Sequence, residues 1–257
     1  MQAGHQSDAD IYIYDEIGFW GVTAKQFISD LNALGDITHI NLHINSPGGD
    51  VFEGIAIFNA LKTHGASITV YVDGVAASMA SVIAMVGNPV IMPENTFMMI
   101  HKPFGFTGGD AEDMRTYADL LDKVEAVLLP AYAQKTGKTT DEIAAMLADE
   151  TWMSGAECLA QGFADQVTPA VTGLTVAPAS ASVKVGATTT LTFTVKPDGA
   201  SDKAISVHST DPQTATVTLN GLVATVKGVK QGSVSIVGMT SDGDFVAVAA
   251  VTVSAAG

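Results

Sequence analysis

The sequence predicts an α/β domain followed by a small all-β sandwich, and three observations carry that expectation. Up to about Gln166, β-branched and aromatic runs alternate with runs of helical period, as a largely parallel sheet covered by helices requires. From Val171 the texture changes to short period-2 runs of Thr, Ser, Val and Ala. Charge divides at the same place: the chain up to Val167 carries seven basic and 22 acidic residues, and the chain from Val171 carries five of each. The expected domains are therefore 1–168 and 171–257, joined near Thr168-Pro169-Ala170 by a linker too short for a long flexible tether.

Taken in order, Ile11 to Tyr14 (IYIY) has strand composition. Thr23 to Leu34 places Phe27, Ile28, Leu31 and Leu34 at helical spacing behind a Thr N-cap. Ile40 to Ile44 is a strand running into the turn Asn45-Ser46-Pro47-Gly48-Gly49, and Val51 to Leu61 resumes the helical period. Ile68 to Val72 is the next strand, followed by an Ala-rich helix from about Ala77 to Val86. Val90 to Met92 and Phe97 to Ile100 read as strands, Asp110 to Tyr132 as a long carboxylate-rich helix and Asp141 to Ala148 as a shorter one. The long helix reads as amphipathic, with Leu120, Leu121, Val124 and Leu128 buried.

In the second half the strands are Ser182 to Val185, Thr190 to Val195, Ala204 to Val207, Thr214 to Leu219, Leu222 to Val226, Ser233 to Val237 and Val246 to Val253. Turn signals separate them at Pro197-Asp198-Gly199, Asn220-Gly221 and Asp242-Gly243. About seven short strands without a helix describe a sandwich.

Composition excludes several functions. Twelve Lys and Arg against 27 Asp and Glu give a net charge of −15. Phosphate neutralisation needs clustered cations, so no nucleic-acid partner is expected. The single cysteine, Cys158, excludes an internal disulfide and a thiolate zinc cluster, and reads as a small core residue. The first twenty residues lack a basic region followed by an apolar run, so no signal peptide is read, and no apolar stretch approaches the roughly 18 residues of a membrane span.

Three segments could carry chemistry. In INSPGGDV, Ile44 to Val51, Gly48 and Gly49 allow positive φ and leave backbone N–H groups open to a ligand; taken alone, the segment reads first as an ordinary strand-to-helix turn. In DGVAASMAS, Asp73 to Ser81, Ser78 stands where the free amides of a helix start would favour an anion beside its oxygen; a Ser that caps or closely packs the helix is the plain alternative. In MMIHKP, Met98 to Pro103, His101 ends an apolar strand and can reach a neighbouring site. His5, His39, His43, His64 and His208 show no partner, and periodicity does not join His101 to Ser78.

NSPGG, GVAASMAS and IHKP, in this order and at these separations, together with ETWMSGAECLAQGFAD, resemble the ClpP family of serine peptidases. The resemblance runs from about Ile11 to Val167 and implies the ClpP/crotonase-like α/β fold. The opening DIYIYDEIGFWGVTAKQF is most similar to the head maturation proteases of tailed phages. Carried over, the resemblance implies Ser78 as nucleophile, His101 as general base, and Glu150, one residue after Asp149, at the position of the orienting acid. It implies the Gly49 and Met79 amides as oxyanion-hole donors, and Gly48 and Gly49 as the peptide-binding loop. It implies no metal and no organic cofactor, a homo-oligomeric ring joined through the Asp110 to Tyr132 helix, and no membrane partner.

The second half, with Ser209-Thr210-Asp211-Pro212, Ala215-Thr216-Val217 and Asn220-Gly221-Leu222-Val223, resembles the bacterial Ig-like group 2 domain. Val207 stands where that family often places an aromatic residue, so looser packing is expected there. The resulting expectation is an ATP-independent serine endopeptidase that processes capsid or scaffold polypeptides within phage proheads in the host cytoplasm. The alternatives are a non-catalytic structural or binding protein, a degradative subunit partnered by an ATPase, and an acyl-CoA enzyme of the crotonase type.

Overall fold

A computed structural model describes residues 8–200 and 202–255, and His5 lies outside them. The chain divides into two compact units, Met1–Val167 and Thr168–Gly257.

The first unit is built on β1 (Asp8–Ile13), β2 (His39–Ser46), β3 (Ser67–Ala77), β4 (Val90–Pro93), β5 (Phe97–Ile100), β6 (Thr151–Ser154) and β7 (Gln166–Thr168). Its sheet runs β1-β2-β3-β4-β7, with β5 attached to β3 and β6 attached to β5. The pairs β1/β2, β2/β3, β3/β4 and β3/β5 are parallel, and β5/β6 is antiparallel. Ile40, Leu42 and Ile44 alternate into the core while His39, Asn41 and His43 face outward, the period of two that a sheet with one covered face demands.

Strand β3 extends to Ala77, five residues beyond the expected Val72. Asp73 and Gly74 interrupt the apolar run but not the strand, because Asn45 of β2 supports this stretch: its Oδ1 accepts from the Val75 amide at 3.2 Å. Along its length β3 changes partner. Val70 and Tyr71 pair with Val90 and Ile91 of β4, whereas Val75, Ala76 and Ala77 pair with Phe97, Met98 and Met99 of β5.

Helices α1 (Ala24–Ala33), α2 (Val51–Thr63), α3 (Met79–Ala84), α4 (Ala111–Thr136), α5 (Thr140–Ala148) and α6 (Gly155–Gln161) complete the unit. Thr23 caps α1 by accepting from the Gln26 amide at 3.3 Å, and the helix buries Ala24, Phe27 and Leu31. Asp50 caps α2, its Oδ1 accepting from the Phe52 and Glu53 amides at 2.8 and 2.9 Å. Helix α4 starts with a reciprocal capping box between Asp110 and Asp113 and ends at Gly137 in the left-handed conformation (φ 73°). The burial expected along α4 is corrected: Leu120 is exposed, Leu121, Val124 and Leu128 are half-buried, and only Tyr132 is fully buried. This unit covers α4 at its C-terminal end and leaves much of its length open. No helix among the described residues is long and apolar enough to cross a membrane.

The second unit contains β8 (Gly173–Ala177), β9 (Ser180–Lys184), β10 (Thr188–Lys196), β11 (Ile205–Ser209), β12 (Ala215–Asn220), β13 (Val223–Gly228), β14 (Gly232–Thr240) and β15 (Val246–Ser254). They form two four-stranded sheets, β12-β13-β10-β8 and β11-β14-β15-β9, around one core that includes Leu191, Phe193, Val226, Ile236, Ala249 and Val251. Strand β8 is absent from the seven read in the sequence. It is an edge strand that buries only Leu174 fully, so its alternation is faint. Opposite Val207 in the β11/β14 register lies Gly238, and a Cβ there would stand 2.3 Å from the Phe193 ring. Phe193 thus reaches from the facing sheet into the space beside Val207.

Candidate active site

The parallel register of β3 and β5 brings two distant segments together. Ala77 pairs with Met99, and the Ser78 amide donates to the Met99 carbonyl at 2.9 Å. One step beyond these strand ends stand Ser78 and His101. Ser78 Oγ lies 2.7 Å from His101 Nε2.

The local backbone frees that hydroxyl. Ser78 occupies the N-cap position of α3 at φ 53°, ψ −124°, and its side chain makes no cap bond. A non-glycine residue at positive φ is strained, a cost of order 1–3 kcal/mol that the surroundings must offset. Two contacts do so. Ser81 donates through its backbone amide (3.0 Å) and its Oγ (2.5 Å) to the Ser78 carbonyl. Ser81 Oγ also lies 2.8 Å from the Tyr132 hydroxyl, and both residues are buried. With the single Ser81 hydroxyl proton committed to Ser78, Tyr132 is the donor in that contact. Burial pushes the Tyr132 phenol well above its usual pKa, so it stays protonated and able to donate. Ser81 and Tyr132 lie 51 residues apart, so only the fold reveals this support.

The glycine loop lies against this turn. Gly48 has φ 90°, and a Cβ on it would stand 2.6 Å from the Ala77 carbonyl oxygen, 2.7 Å from Ser78 Cβ and 2.8 Å from the Met79 nitrogen. Gly49 has φ 146° and is wedged against the Ile17 carbonyl. Ile17 holds the loop from outside: its amide donates to the Gly48 carbonyl at 2.8 Å, and its carbonyl accepts from the Asp50 amide at 2.7 Å. Ser46, fully buried, accepts from the Gly48 amide at 3.1 Å and donates to the Asp15 carbonyl at 2.7 Å. Among the described residues, the Gly49 and Met79 amides donate to no backbone carbonyl. Two open N–H groups therefore flank the Ser78 turn, while the Met79 side chain is buried against Gly54.

A model of the Clp protease family matches residues 6–170. The chain belongs to that family. A second model, the bacterial Ig-like domain (group 2), matches residues 170–251. The chain is similar to the ATP-dependent Clp protease proteolytic subunit of Streptococcus gordonii, 37% identical over 141 residues, which are 53% of this chain and 72% of that protein. The proteins of that name from Streptococcus pyogenes serotype M1 and Streptococcus equi subsp. zooepidemicus are each 38% identical over 141 residues, with the same shares of both chains.

Within the Clp protease domain, the structure joins two of the three expected catalytic side chains and leaves the third apart. Glu150 follows the α5 C-cap, Asp149, and turns at φ 47°. Its carboxylate accepts from Trp152 Nε1 at 3.5 Å rather than from His101. Glu150 and His101 line one open cavity of about 540 Å³, together with Met99, Lys102, Phe104, Leu147 and Ala148. In this structure the left-handed turn at Glu150 and its exposed position leave the side chain on Trp152, away from the imidazole. When Nε2 accepts the Ser78 proton, Nδ1 carries hydrogen; among the described residues no carboxylate accepts it.

Ser78 itself lines a second cavity of about 20 Å³, with Val51, Met79, Val82, Leu128 and Leu147 and with His101, Tyr132 and Glu125. Glu125 pairs with Lys102 at 3.2 Å, and the Lys102 amide donates to the Leu147 carbonyl at 3.2 Å. These contacts seat the segment after His101 against α4 and α5. Cys158 is buried, its thiol pushed up to about 12 by burial and secondarily by Glu157, which excludes a thiolate nucleophile near neutral pH. Three histidines that lacked partners in the sequence have them in the fold. His39 contacts Ser67 Oγ at 2.7 Å, and His64 Nδ1 accepts from the Ala66 amide at 3.1 Å. His43 Nδ1 lies 2.7 Å from Asp73, its ring stacked between Tyr12 and Tyr71.

Proposed function

We propose that this chain is a serine endopeptidase in which Ser78 is the nucleophile and His101 the general base. The observation that carries the reading is the 2.7 Å contact between Ser78 Oγ and His101 Nε2 beside two open backbone amides. In the first step Nε2 takes the hydroxyl proton while Oγ bonds to the peptide carbonyl carbon. The Gly49 and Met79 amides receive the developing oxyanion. The C–N bond then breaks, the departing amine takes the proton from His101, and water releases the acyl group by the same route in reverse. Glu150 orients the imidazole through Nδ1–H after rotating within the cavity it shares with His101, a change an exposed side chain makes at little cost. Gly48 and Gly49 receive the substrate as an added strand. No metal or organic group enters this scheme.

The biological reading is maturation of capsid or scaffold polypeptides inside phage proheads, without ATP, by a ring of these chains in the host cytoplasm. The reading draws on the resemblance of DIYIYDEIGFWGVTAKQF to phage head maturation proteases and on the Ig-like domain that follows the Clp protease domain. A fluorophosphonate is expected to label Ser78, and Ser78→Ala to abolish processing of a co-expressed capsid protein; an alanine variant that still cuts overturns the assignment. Two observations favour other readings. The relatives are named ATP-dependent subunits, which favours an ATPase-partnered degradative role, tested by whether an added Clp ATPase is needed for cleavage of casein. The unpaired Nδ1 favours a non-catalytic scaffold, tested by failure to cleave casein under any condition.

A further inference from the structure

We infer that the open cavity between α2, α4 and the end of α3 is a binding site for a small carboxylate that carries a short apolar tail. Its volume is about 560 Å³, within the range of small-molecule sites. Neither Ser78 nor His101 lines it, so the proposal stands apart from the peptidase reading.

Charge singles this cavity out. The chain up to Val167 carries seven basic residues against 22 acidic ones, yet two of the seven, Lys62 and Lys135, line it. Asp165 is the one carboxylate of the lining, and it is already engaged. Lys135 donates to it and, at 2.9 Å, to the Gly87 carbonyl; the Val90 amide also donates to Asp165, at 2.6 Å. Among the described residues Lys62 has no carboxylate partner. Its Nζ donates to Gln134 Oε1 at 3.1 Å and stands 5.5 Å from the centre of the Phe58 ring.

Hydrogen-bonding capacity points the same way. Gln134, also in the lining, accepts from Lys62 and keeps its NH₂ group open. His64 of the lining uses Nδ1 to accept from the Ala66 amide at 3.1 Å, so the neutral ring carries its hydrogen on Nε2. Lys62 has N–H groups only. These three side chains offer a ligand donors, which suits an anion and repels a cation. A carboxylate brings two acceptor oxygens, enough for Lys62 and one neighbouring N–H at once. The rest of the wall, from Phe58, Leu61, Ile68, Met85 and Val86, favours a hydrocarbon tail over a bare inorganic anion. Two sources share this chemistry: a short fatty acid, and the C-terminus of a peptide that ends in an apolar residue.

The test follows methionine methyl signals by NMR in the full-length protein, with the Met85 signal assigned through Met85→Leu. The probes are octanoate, N-acetyl-leucyl-leucine and, as the uncharged control, octan-1-ol. Octanoate, the dipeptide or both should shift the Met85 signal saturably, and the tighter of the two names the source. Octan-1-ol is expected to bind about tenfold more weakly, the scale of one charge-assisted hydrogen bond. Lys62→Glu should weaken the carboxylate by about the same factor or more, and Lys62→Arg should retain it. Lys123→Glu makes the same charge change on α4 at a residue outside the lining, and should leave binding as it was. Lys62 and Lys123 are both exposed, and unmoved signals from the other methionines show that each variant keeps its fold. The inference is overturned if neither carboxylate moves Met85, if octan-1-ol binds as tightly as octanoate, or if Lys62→Glu and Lys123→Glu act alike.

Discussion

The Tyr132 hydroxyl donates to Ser81 Oγ across 2.8 Å, and that serine in turn holds the carbonyl of the strained Ser78. A residue deep in α4 thus supports the backbone of Ser78, although nothing in the local sequence of either links them. Truncating the donor leaves a buried hydroxyl oxygen short of one partner. Tyr132→Phe is expected to cost about 1–2 kcal/mol of stability, and to slow fluorophosphonate labelling of Ser78 several-fold. Thermal melting and labelling rates check the two effects separately.

Gly48 tolerates no side chain. Its φ of 90° and the three atoms within 2.8 Å of a Cβ, two of them backbone, leave no direction in which to yield. Gly48→Ala is expected to displace the Ser78 turn and lower kcat/KM by roughly 100-fold or more, the scale of a lost oxyanion donor. Gly65→Ala, where a Cβ meets nothing within 4 Å, is the control and should change activity less than twofold.

Glu150 carries a prediction that separates orientation from packing. If its carboxylate orients His101, Glu150→Gln lowers kcat by about 10²–10⁴, as loss of the orienting acid does elsewhere, while melting temperature stays put. Steady-state kinetics alongside melting decides the point: an unchanged kcat removes Glu150 from the mechanism and leaves its bond to Trp152 as its only role.

Cys158 supplies a pH test. Its thiol in the fold ionises near 12, well above the ordinary value of 9.0, because burial disfavours the thiolate. The folded state thus retains a proton that the unfolded state gives up, so stability is expected to decline as pH rises from about 9 toward 12. Iodoacetamide should leave native Cys158 unmodified at pH 8 and label it once urea unfolds the first unit. Cys158→Ala should flatten the alkaline loss of stability.

Much of the fold was legible because the relevant signals are local. Period, caps and turn residues set β2, α1, α2 and β5 close to their observed bounds, and the change in composition marked the second unit. Ser78, His101 and the glycine loop stood out through motif order rather than geometry. Their meeting did not, because parallel register is fixed by pairing between segments more than twenty residues apart. The same limit hid the Tyr132–Ser81 bond and the Lys102–Glu125 pair. Strand β3 was read short because Asp73 and Gly74 look like a turn, and only Asn45 on the neighbouring strand shows why the chain stays extended there. Burial along α4 was over-read because an apolar stripe says that a face wants covering, not that this unit covers it.

Strand β3 changes neighbour midway, and the Ser78 hydroxyl follows its far limb, held to β5 by three residue pairs and one further amide. Sliding β5 by a single residue would carry the imidazole about 3.3 Å along the strand and turn alternate side chains to the opposite face. No intermediate offset keeps the ladder. A seam of this kind gives an all-or-nothing centre: whatever loosens β5 silences the chemistry outright instead of weakening it by degrees.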